Sequence, residues 1–214
     1  MNIENPTFGD IEAARAVLAK AYEGQPIGQS LAWLGAKTHD QRLLALRPML
    51  EDCYRSLTDN RQVNQGHSED ALSQEIVDML YRQQVDAAHD RRNGGHCDIT
   101  VKARDGFFWI GEAKIHGGYQ WLFDGFDQLS TRYAVAQFGR DNGEIIIYHR
   151  GQNSRLVLEN WRDKLLEERS NVELVNDGIE SGRLFFETKH NCVASGFDFF
   201  TRHTIVPMYH APAK

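Results

Sequence analysis

The stretch His96–Tyr133, HCDITVKARDGFFWIGEAKIHGGYQWLFDGFDQLSTRY, constrains the fold more than any other part of the chain. Cys97 to Ala103 and Phe107 to Ile115 read as two strands, with the turn-forming Arg104-Asp105-Gly106 between them. The strand period of two sends Ile99 and Val101 to one face and Asp98 and Thr100 to the other. Glu112 and Lys114 share a face with Phe108 and Ile110, so pairing of the two strands brings Asp98 beside Glu112 and Lys114. Gly117-Gly118 ends the second strand. A helix of about twenty residues follows, with Leu122, Phe126, Leu129, Tyr133 and Val135 or Ala136 inward.

The segments around this hairpin predict a mixed α/β sheet flanked by helices. Residues 8 to 57 carry a helical period with an apolar face from Leu31, Leu34, Leu43, Leu44, Leu46 and Leu50. Two or three helices are expected there, starting near Asp10, Ser30 and Asp40. Ser68 caps a further helix whose first turn holds Glu69 and Asp70. On its inward stripe of Leu72, Ile76, Met79 and Leu80 lies Glu75, a carboxylate that needs an explanation. A strand is expected at Gln84 to Ala88, and the apolar Glu144 to Tyr148 reads as a strand buried on both faces. Leu156 to Glu168 read as a helix, and Asn171 to Val175, Arg183 to Thr188 and His203 to Tyr209 as further strands. The expected division is a helical N-terminal extension over 1–60 and an α/β domain over 61–214, the extension being a packing or dimerising layer or, in the other reading, a substrate-contacting one. That leaves open a homodimer or a subunit of a larger complex.

Bulk properties exclude several classes. The 214 residues fit one domain with an appendage, and 41% hydrophobic with 25% charged residues is ordinary globular composition. A net charge of -6 argues against a protein that coats nucleic acid through its overall field, while permitting a local basic channel. Cys53, Cys97 and Cys192 are too scattered for a zinc module or a disulfide framework, which predicts a reducing cytoplasm. No signal-type apolar core and no membrane-spanning run is legible.

Asp98, Glu112 and Lys114 suit metal-assisted phosphodiester hydrolysis. Carboxylates hold Mg²⁺ or Mn²⁺ through hard oxygen ligands, and the ion lowers the pKa of its water. Asp98 and Glu112 supply two such oxygens and the Ala113 carbonyl a third. Lys114 can hold the attacking water and offset charge on the phosphate. Glu75 can bind the outer water shell or a second ion, and Glu69 is the alternative carboxylate from the same helix. Without a metal, two acids and a lysine buried together form a costly salt-bridge group.

The motif Cys97-Asp98, followed fourteen residues after Asp98 by Glu112-Ala113-Lys114, resembles the PD-(D/E)xK nuclease superfamily. Asp127-Gln128-Leu129 and Tyr133 are similar to the Gln-containing motif of its RecB-type relatives. The resemblance covers roughly residues 67 to 150 and implies a restriction-endonuclease-like fold and a Mg-dependent deoxyribonuclease, with Gln128 and Tyr133 near the active site. Phage defence, restriction and repair are the roles it implies. Cys97 stands where the family has proline, and Gln128 and Tyr133 are five residues apart where the family has a four-residue step. The other reading is a catalytically inactive nuclease-like module that binds nucleic acid or a protein partner.

Several neighbours complete the candidate set. His96 and His116 flank the motif. Arg91, Arg92, Lys102, Arg104, Arg132 and Arg150 are candidates for phosphate contact, each set against an ordinary surface charge. Trp121 is a core residue or a base-stacking platform, and Trp109 reads as core. His149, His190, His203 and His210 have no metal-ligand spacing.

Overall fold

The computed structural model describes residues 5–92 and 96–212, and only the backbone at 90–92 and 96. The N-terminal layer holds α1 (Phe8–Ala21), α2 (Pro26–Gly35), α3 (His39–Asp59) and the single turn α4 (Arg61–Asn64). Their starts lie a few residues before the expected ones. Thr7 caps α1 in a reciprocal box with Asp10, Pro26 opens α2, and Thr38 caps α3, so Asp10 and Asp40 sit in first turns. Ser68 caps α5 (Glu69–Arg82) as expected, its Oγ accepting from the Ala71 N–H at 3.2 Å.

Seven strands follow: β1 (Asp86–Arg92), β2 (His96–Lys102), β3 (Phe108–Ile115), β4 (Asn142–His149), β5 (Val172–Asp177), β6 (Phe185–Asn191) and β7 (Asp198–Pro207). They form one sheet in the order β1-β2-β3-β4-β7-β6-β5. β4 runs parallel to both β3 and β7, and the other neighbours are antiparallel. Between β3 and β4 lies α6 (Tyr119–Gln128), continued by a π-turn over Leu129–Tyr133, and α7 (Ser154–Glu168) follows β4. The expected helix of about twenty residues is therefore a ten-residue α-helix and a five-residue π-turn.

Helices cover both faces. α3 and α5 pack Leu46, Met49, Leu57, Leu72 and Ile76 on Ile99, Val101 and Trp109. On the other face α6 and α7 pack Leu122, Phe126, Trp161 and Leu165 on Ile110, Ile145 and Ile147. β4 feeds both layers, Ile146 and Tyr148 to one and Ile145 and Ile147 to the other, which is why its apolar residues run without alternation. The expected boundary at 60/61 falls between α3 and α4. α3 shares the sheet's core, and Arg202 of β7 ties to Glu51 of α3 at 2.8 Å. Of the expected N-terminal apolar face, Leu46 and Leu50 are buried, while Leu34 and Leu44 are exposed. Among the described residues no helix is long and apolar enough to cross a membrane.

Candidate active site

The site begins where β2 leaves β3. Their ladder ends at the pair Ile99–Gly111, which frees the next N–H groups on that edge of β3. Buried backbone donors need partners, and two carboxylates supply them. Asp98 Oδ2 accepts the Ala113 N–H at 2.7 Å, and Glu69 Oε2 accepts the Ile115 N–H at 2.7 Å. Acidic side chains thus fill a notch in the sheet, and the Ala113 carbonyl projects from the same strand edge as its N–H.

Glu112 and Lys114 rise from the strand beside this notch. Lys114 Nζ lies 2.6 Å from Glu112 Oε1 and 3.7 Å from Glu69 Oε1. Glu112 is 2% exposed, and its Oε2 is buried with no hydrogen-bond partner. Burial, then the charge of Asp98, pushes the Glu112 carboxyl up to about 7, with Lys114 pulling the other way. Burial also raises Asp98 and Glu69, against the backbone hydrogen bond each accepts. Burial weakens the Lys114 ammonium, but Glu112, Glu69 and Asp98 together outweigh it and its pKa rises. Three carboxylates around one lysine leave negative charge uncompensated in a low-dielectric notch, an environment that favours a cation.

Glu69 takes the place expected of Glu75. It stands three, four and seven residues before Leu72, Ser73 and Ile76, all fully buried, so it ends the true inward stripe of α5. Glu75, expected inward between Leu72 and Met79, is like Met79 only partly buried, and it has no ion pair with Lys114 among the described residues. The i+3, i+4 and i+7 relations of Glu69 were the available sequence signal.

α6 closes the site from above. A Cβ at Gly125 would lie 3.0 Å from Lys114 Cγ and 3.1 Å from Cε, so this glycine lets the helix pass close over the lysine stem. Lys114 opens into a cleft of about 310 Å³ lined also by Trp121, Asp127, Gln128 and Arg132. Gln128 lines this cleft and Tyr133 lies near the carboxylates, although a five-residue step in an α-helix turns about 140° past a full revolution. The π-turn absorbs the extra residue through the Ala134 N–H to Leu129 O bond at 3.0 Å. Tyr133 is buried; desolvation and then the charge of Glu112 raise its hydroxyl pKa, which places it against the cluster.

The other candidates divide. His116 turns to Tyr119 and His149, with ring centroids 5.5 and 5.3 Å away, rather than into the cleft. Burial lowers the pKa of both histidines. Lys102 and Arg104 sit at the opposite end of the hairpin, Arg150 donates to the His67 carbonyl, and Trp109 is core. The expected contacts of Arg91, Arg92 and His96 rest on side chains outside the described residues. His89, not anticipated from sequence, joins Asp70 and Asp98 in a set whose ligand atoms lie within 4.8 Å of one another. The signal was its place on β1 opposite Ile99, next to Asp98.

Fold and site together define a mixed α/β protein with a buried carboxylate–lysine cluster in a notch of its sheet. Comparison of the chain with family models, with curated proteins and with solved structures finds no match.

Proposed function

We propose that the chain is a divalent-cation-dependent nuclease of the PD-(D/E)xK type with a restriction-endonuclease-like fold, hydrolysing phosphodiester bonds in DNA. The observation that carries this reading is the unpartnered, buried Glu112 Oε2 beside Asp98. Asp98, Glu112 and the Ala113 carbonyl would supply all-oxygen ligands of the kind Mg²⁺ or Mn²⁺ prefers, with Glu69 alongside. A cation held there would offset the charge of the scissile phosphate and make water a stronger acid.

The chain's own groups do the rest. Lys114, held by Glu112 and Glu69, presents N–H donors to the attacking water and to a phosphate oxygen. The water oxygen forms the new bond to phosphorus, the bond to the leaving oxygen breaks, and that oxygen takes a proton. The water's proton would leave to bulk solvent, since Lys114 holds one Glu112 oxygen and the cation would take the other. Gln128 and Arg132 line the wall where the phosphate chain would pass.

The test is cleavage of circular, linear and single-stranded DNA with Mg²⁺ or Mn²⁺. Lys114→Ala is expected to lower the rate by about 100-fold or more, the usual cost of one electrostatic donor at a reacting phosphate or carbonyl. Undiminished cutting by this variant would overturn the site assignment.

A further inference from the structure

We infer that Trp121 is a stacking platform for an unpaired nucleobase next to the proposed scissile phosphate, so that the site takes single-stranded DNA or a frayed strand end. The inference rests on reading the Lys114 cleft as a phosphodiester site.

Three of the four tryptophans, Trp33, Trp109 and Trp161, are buried at 4% exposure or less, whereas Trp121 is 51% exposed. Nothing in the packing of α6 requires an indole at this position, since the helix buries its opposite stripe of Leu122, Phe123 and Phe126. The ring stands between two hollows. On one side is the Lys114 cleft, with Lys114 Nζ 5.9 Å from the ring centroid. On the other is a hollow of about 380 Å³ bordered by Ile115, Gly117 and Gly118. Those two glycines have nothing within 4 Å of where a Cβ would stand, so the turn after β3 leaves room beside the ring.

The chemistry of the two sides is that of one nucleotide. Lys114 and Arg132 offer cations to a phosphate, and Trp121 offers an aromatic face to the attached base. The acids of this wall are engaged: Asp127 pairs with Arg169 at 3.0 Å, and Asp124 accepts from Gln120 at 3.0 Å. A base inside a duplex has its faces occupied and must be unstacked before it can reach the ring, whereas an unpaired base is free to stack.

Trp121 is the one exposed indole, so quenching by DNA that is lost in Trp121→Phe reports this ring above the emission of the three buried ones. With Ca²⁺ in place of Mg²⁺, so that the notch is charge-compensated, oligothymidylate titrated into the protein is expected to quench tryptophan emission, and a blunt duplex of the same length to do so much less. Anisotropy of a labelled oligothymidylate should show affinity falling about 5- to 150-fold in Trp121→Ala, the range for losing one base–aromatic stack, with Trp121→Phe retaining most of it. Unchanged single-strand affinity in Trp121→Ala, or an equal loss for duplex, overturns the inference. So does emission that depends on protein concentration without DNA, which would assign the ring to a contact between copies of the chain. DNA cutting that ignores Trp121 removes the stacking and leaves hydrolysis standing. Stacking without any cutting removes hydrolysis and leaves the stacking.

Discussion

Replacing Glu112 by Gln is expected to stabilise the cation-free protein at alkaline pH relative to acid pH, although it cuts a buried ion pair. Burial and the neighbouring Asp98 charge hold the Glu112 carboxyl at about 7 against an ordinary 4.5. For an acid with a raised folded-state pKa, the folded form keeps the proton longer than the unfolded form. Stability therefore falls as pH climbs from the unfolded to the folded value and stays low above it. At about 1.4 kcal/mol per pH unit, the loss from Glu112 is about 3 kcal/mol, or about 6–12 °C in Tm for a chain of this size. Gln cannot ionise, so this part of the pH dependence disappears, while the weakened hold on Lys114 lowers the variant at every pH. The readout is the difference between thermal unfolding at about pH 5 and about pH 8 in EDTA, which should shrink in Glu112→Gln by up to about 3 kcal/mol. Parallel pH profiles for the two proteins would refute the argument that Glu112 is a buried, uncompensated carboxylate.

Other expectations follow from the same geometry. Glu69→Gln should lower DNA cleavage at least 10-fold, whereas Glu75→Gln should leave it within about 2-fold, because only Glu69 touches Lys114 and the Ile115 N–H. Gly125→Ala puts a methyl against the Lys114 stem and should cost about 1–3 kcal/mol of stability together with cleavage, read by denaturant unfolding and by the same assay. Mg²⁺ at about 100 times its dissociation constant should stabilise the wild-type protein by about 3 kcal/mol, and Glu112→Gln much less, in a thermal shift measurement.

Much of the hairpin was legible because period-two alternation and turn residues act locally. The faces of Ile99, Val101, Glu112 and Lys114 follow from that alternation. The doubly buried β4 was legible in its Ile-Ile-Ile run. What escaped depends on contacts distant in sequence. The insertion of β7 between β4 and β6 pairs residues more than fifty apart, and no local period announces it. β7 also begins at Asp198 rather than near His203; in its first half Phe200 is exposed and Thr201 buried, so side-chain polarity does not report the alternation. The choice between Glu69 and Glu75 is not legible in the period of α5, because Met79, which points to Glu75, is only partly buried against the core, and the contact of Glu69 with Lys114 spans more than forty residues. The π-turn between Gln128 and Ala134 is a one-residue insertion that leaves no mark on hydrophobic period.

The central claim, that the notch of Asp98, Glu112 and Lys114 is a divalent-cation site, is tested most directly by calorimetric titration of Mg²⁺ and Mn²⁺ at about pH 8, above the Glu112 pKa of about 7. Saturable binding by the wild-type protein, weakened at least 10-fold in both Asp98→Asn and Glu112→Gln, is the predicted result. Absence of binding, or binding that neither substitution alters, would contradict it.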